Sequence, residues 1–224
     1  MNHEASRSLP SNASIILLGI FLALVIQSGL DNFLGAVLVT NEVRHPIDLD
    51  ALRDGFKNGS TVLLYAQMVT FIMLLSRFYL GAFRFNLETG SASQPKLIDN
   101  VVDFVGTGLL FIAFYALSKT LSTTGDFYLI TLITHGADAI WFVAVIFLLL
   151  KGTELLGVAR WYILWDVITV AWFAGCAWLL GTERSDYLLQ WMLLLGLAVI
   201  SCADWWILRD FYFAPAKWRM KPVP

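Results

Sequence analysis

The chain alternates six long apolar runs with short polar intervals. The runs lie near 13–38, 60–84, 98–121, 126–150, 159–181 and 186–211. Each is long enough to cross a hydrocarbon core of about 30 Å, which takes about 20 helical residues. Backbone N–H and C=O groups in lipid must be satisfied internally, so only helices and closed barrels span a membrane. The runs are continuous and lack the apolar–polar alternation of barrel strands. The pattern predicts an all-α polytopic membrane protein: a six-transmembrane-helix bundle with short loops, one integral membrane domain over residues 1–224. The first run continues through Leu38 behind a flank with only Arg7 and Glu4, so a retained span is expected rather than a signal peptide.

The intervals carry their own signals. Residues 122–125 and 181–185 are tight turns carrying Gly, Ser and Thr, and 86–97 is a loop with Gly90 and Pro95. The longest interval, 39–59, spaces Leu49, Leu52 and Phe56 helically with Asp50, Arg53, Asp54 and Lys57 opposite. It reads as a short amphipathic surface helix or as a solvated loop. No interval is long enough for a soluble catalytic domain.

Composition strengthens this reading. Hydrophobic residues make up 58% and charged residues 14%, against roughly 45–50% and about 25% in soluble chains. A net charge of −2 leaves no basic surface for a nucleic acid, so nucleic-acid partners are not expected. Cys176 and Cys202 sit at heights about 12 Å apart, too far for a disulfide. Three histidines (His3, His45, His135) and no Cys-x-x-Cys leave no metal or haem spacing. No cofactor is expected. Nucleophile-elbow, phosphate-loop and HExxH motifs are likewise absent.

Lys and Arg set the expected orientation. Arg7, Arg84, Lys96, Lys151, Arg160, Arg209, Lys217, Arg219 and Lys221 fall on the side of both termini; Arg44, Arg53, Lys57, Lys119 and Arg184 fall on the other. Nine against five puts the N- and C-termini in the cytoplasm, in a multi-pass chain of the bacterial plasma (inner) membrane. Trp161, Trp165, Trp205, Trp206 and Trp218 gather at that boundary as an aromatic belt would. Membrane lipids are the expected surroundings, with a homo-oligomer or a membrane-protein partner as the protein contacts.

The informative residues are the charges inside the runs. A central Asp or Arg costs roughly 2.5–3.5 kcal/mol on insertion scales, so such groups face the bundle interior, pair, or line water. They are Asp31, Arg77, Asp103, His135, Asp138, Asp166 and Asp204. At about 1.5 Å per residue, Arg77, Asp103, Asp166 and Asp204 fall roughly 8–11 Å below the cytoplasmic boundary. Asp138 falls near the midplane, about 8 Å deeper. Asp31, beside Gly29 and Gly35, reads as a kinked helix end.

Helical spacing puts these groups on inner stripes. Gln67, Thr70, Arg77, Gly81 and Arg84 share one face; so do Thr131, His135 and Asp138; Asp166, Thr169, Phe173 and Cys176; and Ser201 and Asp204. Span three offers Asp103, Gly106 and Thr107, the glycine permitting close approach. Spans three–four and five–six also resemble each other faintly, with Asp103 and Asp138 answering Asp166 and Asp204.

Two readings follow. Arg77 can lock helices together by bridging carboxylates, with no chemistry. Alternatively, one Arg cannot neutralise Asp103, Asp138, Asp166 and Asp204 together, and the excess carboxylates hold a proton or cation along a path. His135 at i−3 from Asp138 would serve as a relay or satisfy a neighbouring helix. Gln67, Arg84, Arg160 and Arg209 are secondary members of the path, the last two by snorkelling inward. The leading expectation is proton- or cation-coupled transport or sensing of a small ion or solute. A non-transporting subunit, oligomeric pore or assembly factor, and a small membrane enzyme acting on lipid or quinone, stay open beside it.

Overall fold

A computed structural model of the protein describes residues 9–41, 59–90, 97–122, 124–148, 155–180 and 186–213. The surface helix expected around Leu49, Leu52 and Phe56 lies outside the described residues, as do Lys217, Trp218, Arg219 and Lys221. Every described element is a helix: α1 (Leu9–Asn41), α2 (Gly59–Gly90), α3 (Leu97–Lys119), α4 (Thr124–Leu148), α5 (Leu155–Leu180), α6 (Asp186–Ile207) and the short α7 (Arg209–Phe213). Four of them contain stretches long and apolar enough to cross a membrane: Ile16–Val37, Thr61–Arg84, Asp126–Phe147 and Leu156–Cys176. In α3 and α6 the described apolar stretches are shorter, Phe104–Lys119 and Trp191–Ile207. The chain is a membrane-embedded helical protein.

The helices close into a ring. Each packs on the next in the order α1, α3, α4, α5, α6, α2, and α2 returns to α1. Contacts at constant offset or constant sum fix the directions. Ser118 donates to Ser28 at 2.8 Å and Phe111 stacks on Phe21 at 4.4 Å, both 90 residues apart, so α1 and α3 run parallel. Arg77 meets Asp204, and Arg84 meets Phe211, each at an offset of 127, so α2 and α6 with α7 are parallel. His135 meets Asp166 while Phe142 meets Tyr162, so α4 and α5 are antiparallel. The chain therefore runs up and down. The C-terminal ends of α2, α4 and α6 share one end of the bundle with the N-terminal ends of α3 and α5.

Burial follows the ring. In α2 just over half of the membrane-length window is buried, against a third or less in the others, because α1, α3, α6 and α7 all cover it. One core cluster fills the α1–α2–α3 side with Val25, Phe33, Phe71, Leu74, Phe114 and Leu117. A second joins α4, α5 and α7 through Val145, Ala159, Tyr162, Leu208, Phe211 and Tyr212. Outward faces are largely apolar instead, with Ile140, Phe147 and Val199 each at least 70% exposed. That is the inverse of a soluble surface and suits lipid contact.

The end of α6 shapes the site. The helix breaks at Leu208, where Leu208 N bonds to Asp204 O (2.8 Å), and Phe211 N and Tyr212 N both turn back to Leu208 O. The helical path thus resumes in α7. Tyr212, eight residues and just over two turns past Asp204, returns to the same face.

Candidate functional site

A charged cluster lies where side chains of α2, α4, α5 and α6 converge; Arg77, His135, Asp166 and Asp204 are buried in it, and Asp138 at its edge is half-buried. Arg77 is 2% exposed, Asp166 1%, Asp204 0% and His135 1%. Arg77 Nε donates to Asp204 Oδ2 at 3.1 Å and Nη1 to Thr169 Oγ1 at 3.4 Å, while Nη2 stands 4.0 Å from Asp166 Oδ1. The same Asp166 Oδ1 lies 2.9 Å from His135 Nδ1, a pairing that selects the tautomer with the proton on that nitrogen. Thr169 in turn donates to the Trp165 carbonyl at 2.8 Å, which fixes its lone pairs toward Arg77.

Two tyrosines extend the network. Tyr162 donates to Tyr212 at 2.8 Å, and Tyr212 donates to Asp204 Oδ2 at 3.0 Å. Asp204 Oδ2 therefore accepts from both Arg77 and Tyr212. The connected set runs Tyr162, Tyr212, Asp204, Arg77, Asp166, His135. Sequence spacing singled out neither tyrosine. Tyr162 sits four residues before Asp166 on one face of α5, a signal that was available. Tyr212 depends on the turn at Leu208, which was not. Gly81 makes the approach of Tyr162 feasible, since a Cβ there would stand 2.6 Å from the tyrosine oxygen.

Asp138 belongs to this cluster, which corrects the depth read from the sequence. Its carboxyl interacts directly with that of Asp166, and both line one cavity with Arg77. The 8 Å offset came from misplaced helix ends. α5 begins at Leu155 and α4 ends at Leu148, so Asp166 stands about 16 Å and Asp138 about 15 Å from their respective ends on that side. The partner of His135 is likewise Asp166 across the helix interface, not a relay along its own helix.

The cavity measures about 70 Å³ and opens between α2, α3, α4 and α5. Asp138, Asp166 and Arg77 form its charged side, and Phe78, Trp141, Phe142 and Tyr162 its aromatic walls. Gly106 on α3 lets Trp141 pack close; a Cβ there would lie 2.6 Å from the indole ring.

The other sequence-selected residues fall elsewhere. The Asp103 side chain lies outside the described residues. Gln67 is buried on the inner stripe, ten residues along α2 from Arg77, too far to join it. Arg84 donates to the Phe211 carbonyl at 2.6 Å and so ties α2 to α7. Arg160 is exposed; Arg209, 61% exposed, lies 3.8 Å from Asp210 and over the Trp206 ring. Neither snorkels to the cluster, because each sits about 120–140° around its helix from Asp166 or Asp204. Asp31 is not a helix end, since α1 runs on to Asn41. It is exposed, in line with Gln27 and Gly35 on the outer face of α1. Cys176 and Cys202 are both free, the first buried and the second exposed.

The arrangement gathers one fixed cation, three carboxyls and a neutral-capable imidazole inside the helix ring. Such a set can exchange protons, hold a cation, or bind helices together. Comparison with protein-family models, curated proteins and solved structures finds no match to this chain.

Proposed function

We propose that this chain is a six-span integral membrane protein of the bacterial plasma membrane that moves or senses a small ion or solute, coupled to a proton or cation, through its carboxylate-lined interior. One integral domain covers residues 1–224, with both termini cytoplasmic. The observation that carries the reading is the charge imbalance around Arg77: it pairs with Asp204 and Asp166, and Asp138 lines the same cavity. A helix lock needs one or two of those carboxylates. The third is surplus, and a surplus carboxylate in low dielectric needs a proton or a cation to balance it. The sites in question are Arg77, His135, Asp138, Asp166 and Asp204. The up-and-down ring supports six spans, because its two chain ends then share a side, the one richer in Lys and Arg. The test is proton or cation flux in vesicles reconstituted with the purified protein. Flux above that of empty vesicles is expected; its absence across the common monovalent cations and protons would remove the transport reading.

A second reading, a non-transporting subunit acting through a partner, draws on the outer stripe Gln27, Asp31 and Gly35. Exposed polar and small residues within a membrane-length stretch are the composition of a helix–helix contact. Recovery of a defined partner or homo-oligomer from native membranes, with no flux, would favour it.

A further inference from the structure

The cavity beside the cluster has a chemistry more specific than cation handling. A volume of about 70 Å³ holds about five water molecules at roughly 10–15 Å³ each, or one small organic group. Its charged side sets two carboxyls against one guanidinium, and Asp166 Oδ2, on a side chain 1% exposed, has no hydrogen-bond partner. The rest of its lining is mostly apolar and includes four aromatic rings, with Phe142 stacked on Tyr162 at 4.9 Å, and Phe78 and Trp141 beside them.

That combination is poorly matched to a metal ion. Hard divalent cations take about six to eight oxygen ligands, and zinc about four nitrogen, sulfur or oxygen ligands. Among the described residues no group of three or more His, Cys, Asp and Glu is arranged to hold one. Aromatic faces beside carboxylates suit another kind of cation. An alkylammonium buries its apolar substituents against the rings, while its positive charge is attracted by the ring quadrupoles and by the carboxylates. We infer that this cavity binds a small organic ammonium with compact apolar substituents, its nitrogen toward Asp138 and Asp166 and its alkyl groups against Trp141, Phe142 and Tyr162. The inference deepens the proposed function and rests on it in one respect, that the surplus carboxylate charge is balanced by an incoming cation.

The test is calorimetric titration of the purified full-length protein in detergent micelles with tetramethylammonium chloride. Sodium chloride at equal ionic strength and tert-butanol, an uncharged molecule of similar shape, serve as comparison ligands. Saturable tetramethylammonium binding is expected in the millimolar range or tighter, with no heat from tert-butanol. Asp138→Asn and Trp141→Leu should each weaken it by about tenfold. Gly106→Ala should weaken it as well, by driving the indole into the cavity. Asp126→Asn, exposed at the start of α4, should leave it unchanged. Circular dichroism and elution volume establish which variants are folded, and the three cavity variants offer independent routes if one fails. Absence of saturable binding, equal binding of tert-butanol, or wild-type affinity in the folded cavity variants would overturn the inference. Vesicle flux separates it from the proposed function. Flux without ammonium binding removes the ammonium site alone; ammonium binding without flux removes the transport reading and leaves the site.

Discussion

Replacing Arg77 by alanine is the sharpest perturbation of the cluster. The guanidinium makes a charge-assisted bond to Asp204 at 3.1 Å, a long bond to Thr169 at 3.4 Å and an ion pair with Asp166 at 4.0 Å. At an effective dielectric near 20 each ion pair attracts by about 4–5 kcal/mol before desolvation. The charge-assisted bond itself contributes about 1.5–3 kcal/mol net. Removing one partner of a buried pair typically costs about 3–5 kcal/mol, because the remaining charge is stranded. Here two carboxylates are stranded, so Arg77→Ala should lie at the upper end of that range. The double variant Arg77→Ala/Asp204→Asn should recover more than half of the loss, since the amide removes one stranded charge and can still accept from Tyr212 (3.0 Å). The assay is reversible unfolding in mixed micelles by added denaturing detergent, followed by circular dichroism for wild type, each single variant and the pair. A loss below about 1 kcal/mol for Arg77→Ala, the range of an exposed ion pair, would refute the reasoning. So would strict additivity of the two substitutions.

Tyr212→Phe should lower stability by about 1–2 kcal/mol in the same assay, because it removes the donor to Asp204 and the acceptor for Tyr162; an unchanged midpoint would place the tyrosines outside the network. Gly81→Leu should destabilise by about 1–3 kcal/mol through overpacking against Tyr162, and stability equal to wild type would contradict the close approach of the Tyr162 ring to α2. A reporter active only outside the cytoplasm should be active after residue 57, 124 or 184 and silent after 92, 155 or 224; activity at 92 would overturn the topology.

The helices and their inner stripes were legible because both rest on local periodicity. Gln67, Thr70, Arg77 and Gly81 recur at helical spacing and are all buried; so are Asp166, Thr169, Phe173 and Cys176. The partners across helices were less legible. The level of Asp138 depended on where α4 ends and α5 begins, and a shift of a few residues at each end moved it into contact with Asp166. Tyr212 was hidden for a related reason. Its position depends on the break at Leu208, just before Arg209 and Asp210, which no Gly or Pro marks. Arg160 and Arg209 were plausible by depth alone; rotation about the helix axis decides against them. Asp31 shows the remaining limit. Periodicity says which residues share a face, but only the ring of neighbours says that this face of α1 points outward.

The central claim is that the surplus carboxylate has a use beyond binding helices together, and Asp138→Asn tests it most directly. The amide suits a low-dielectric interior at least as well as the carboxyl does, so yield and folding should stay near those of wild type. The measurement is proton or cation flux in vesicles carrying wild type and Asp138→Asn at matched protein amounts. The account predicts flux in the wild type and its loss in the folded variant. Equal flux in both would contradict it.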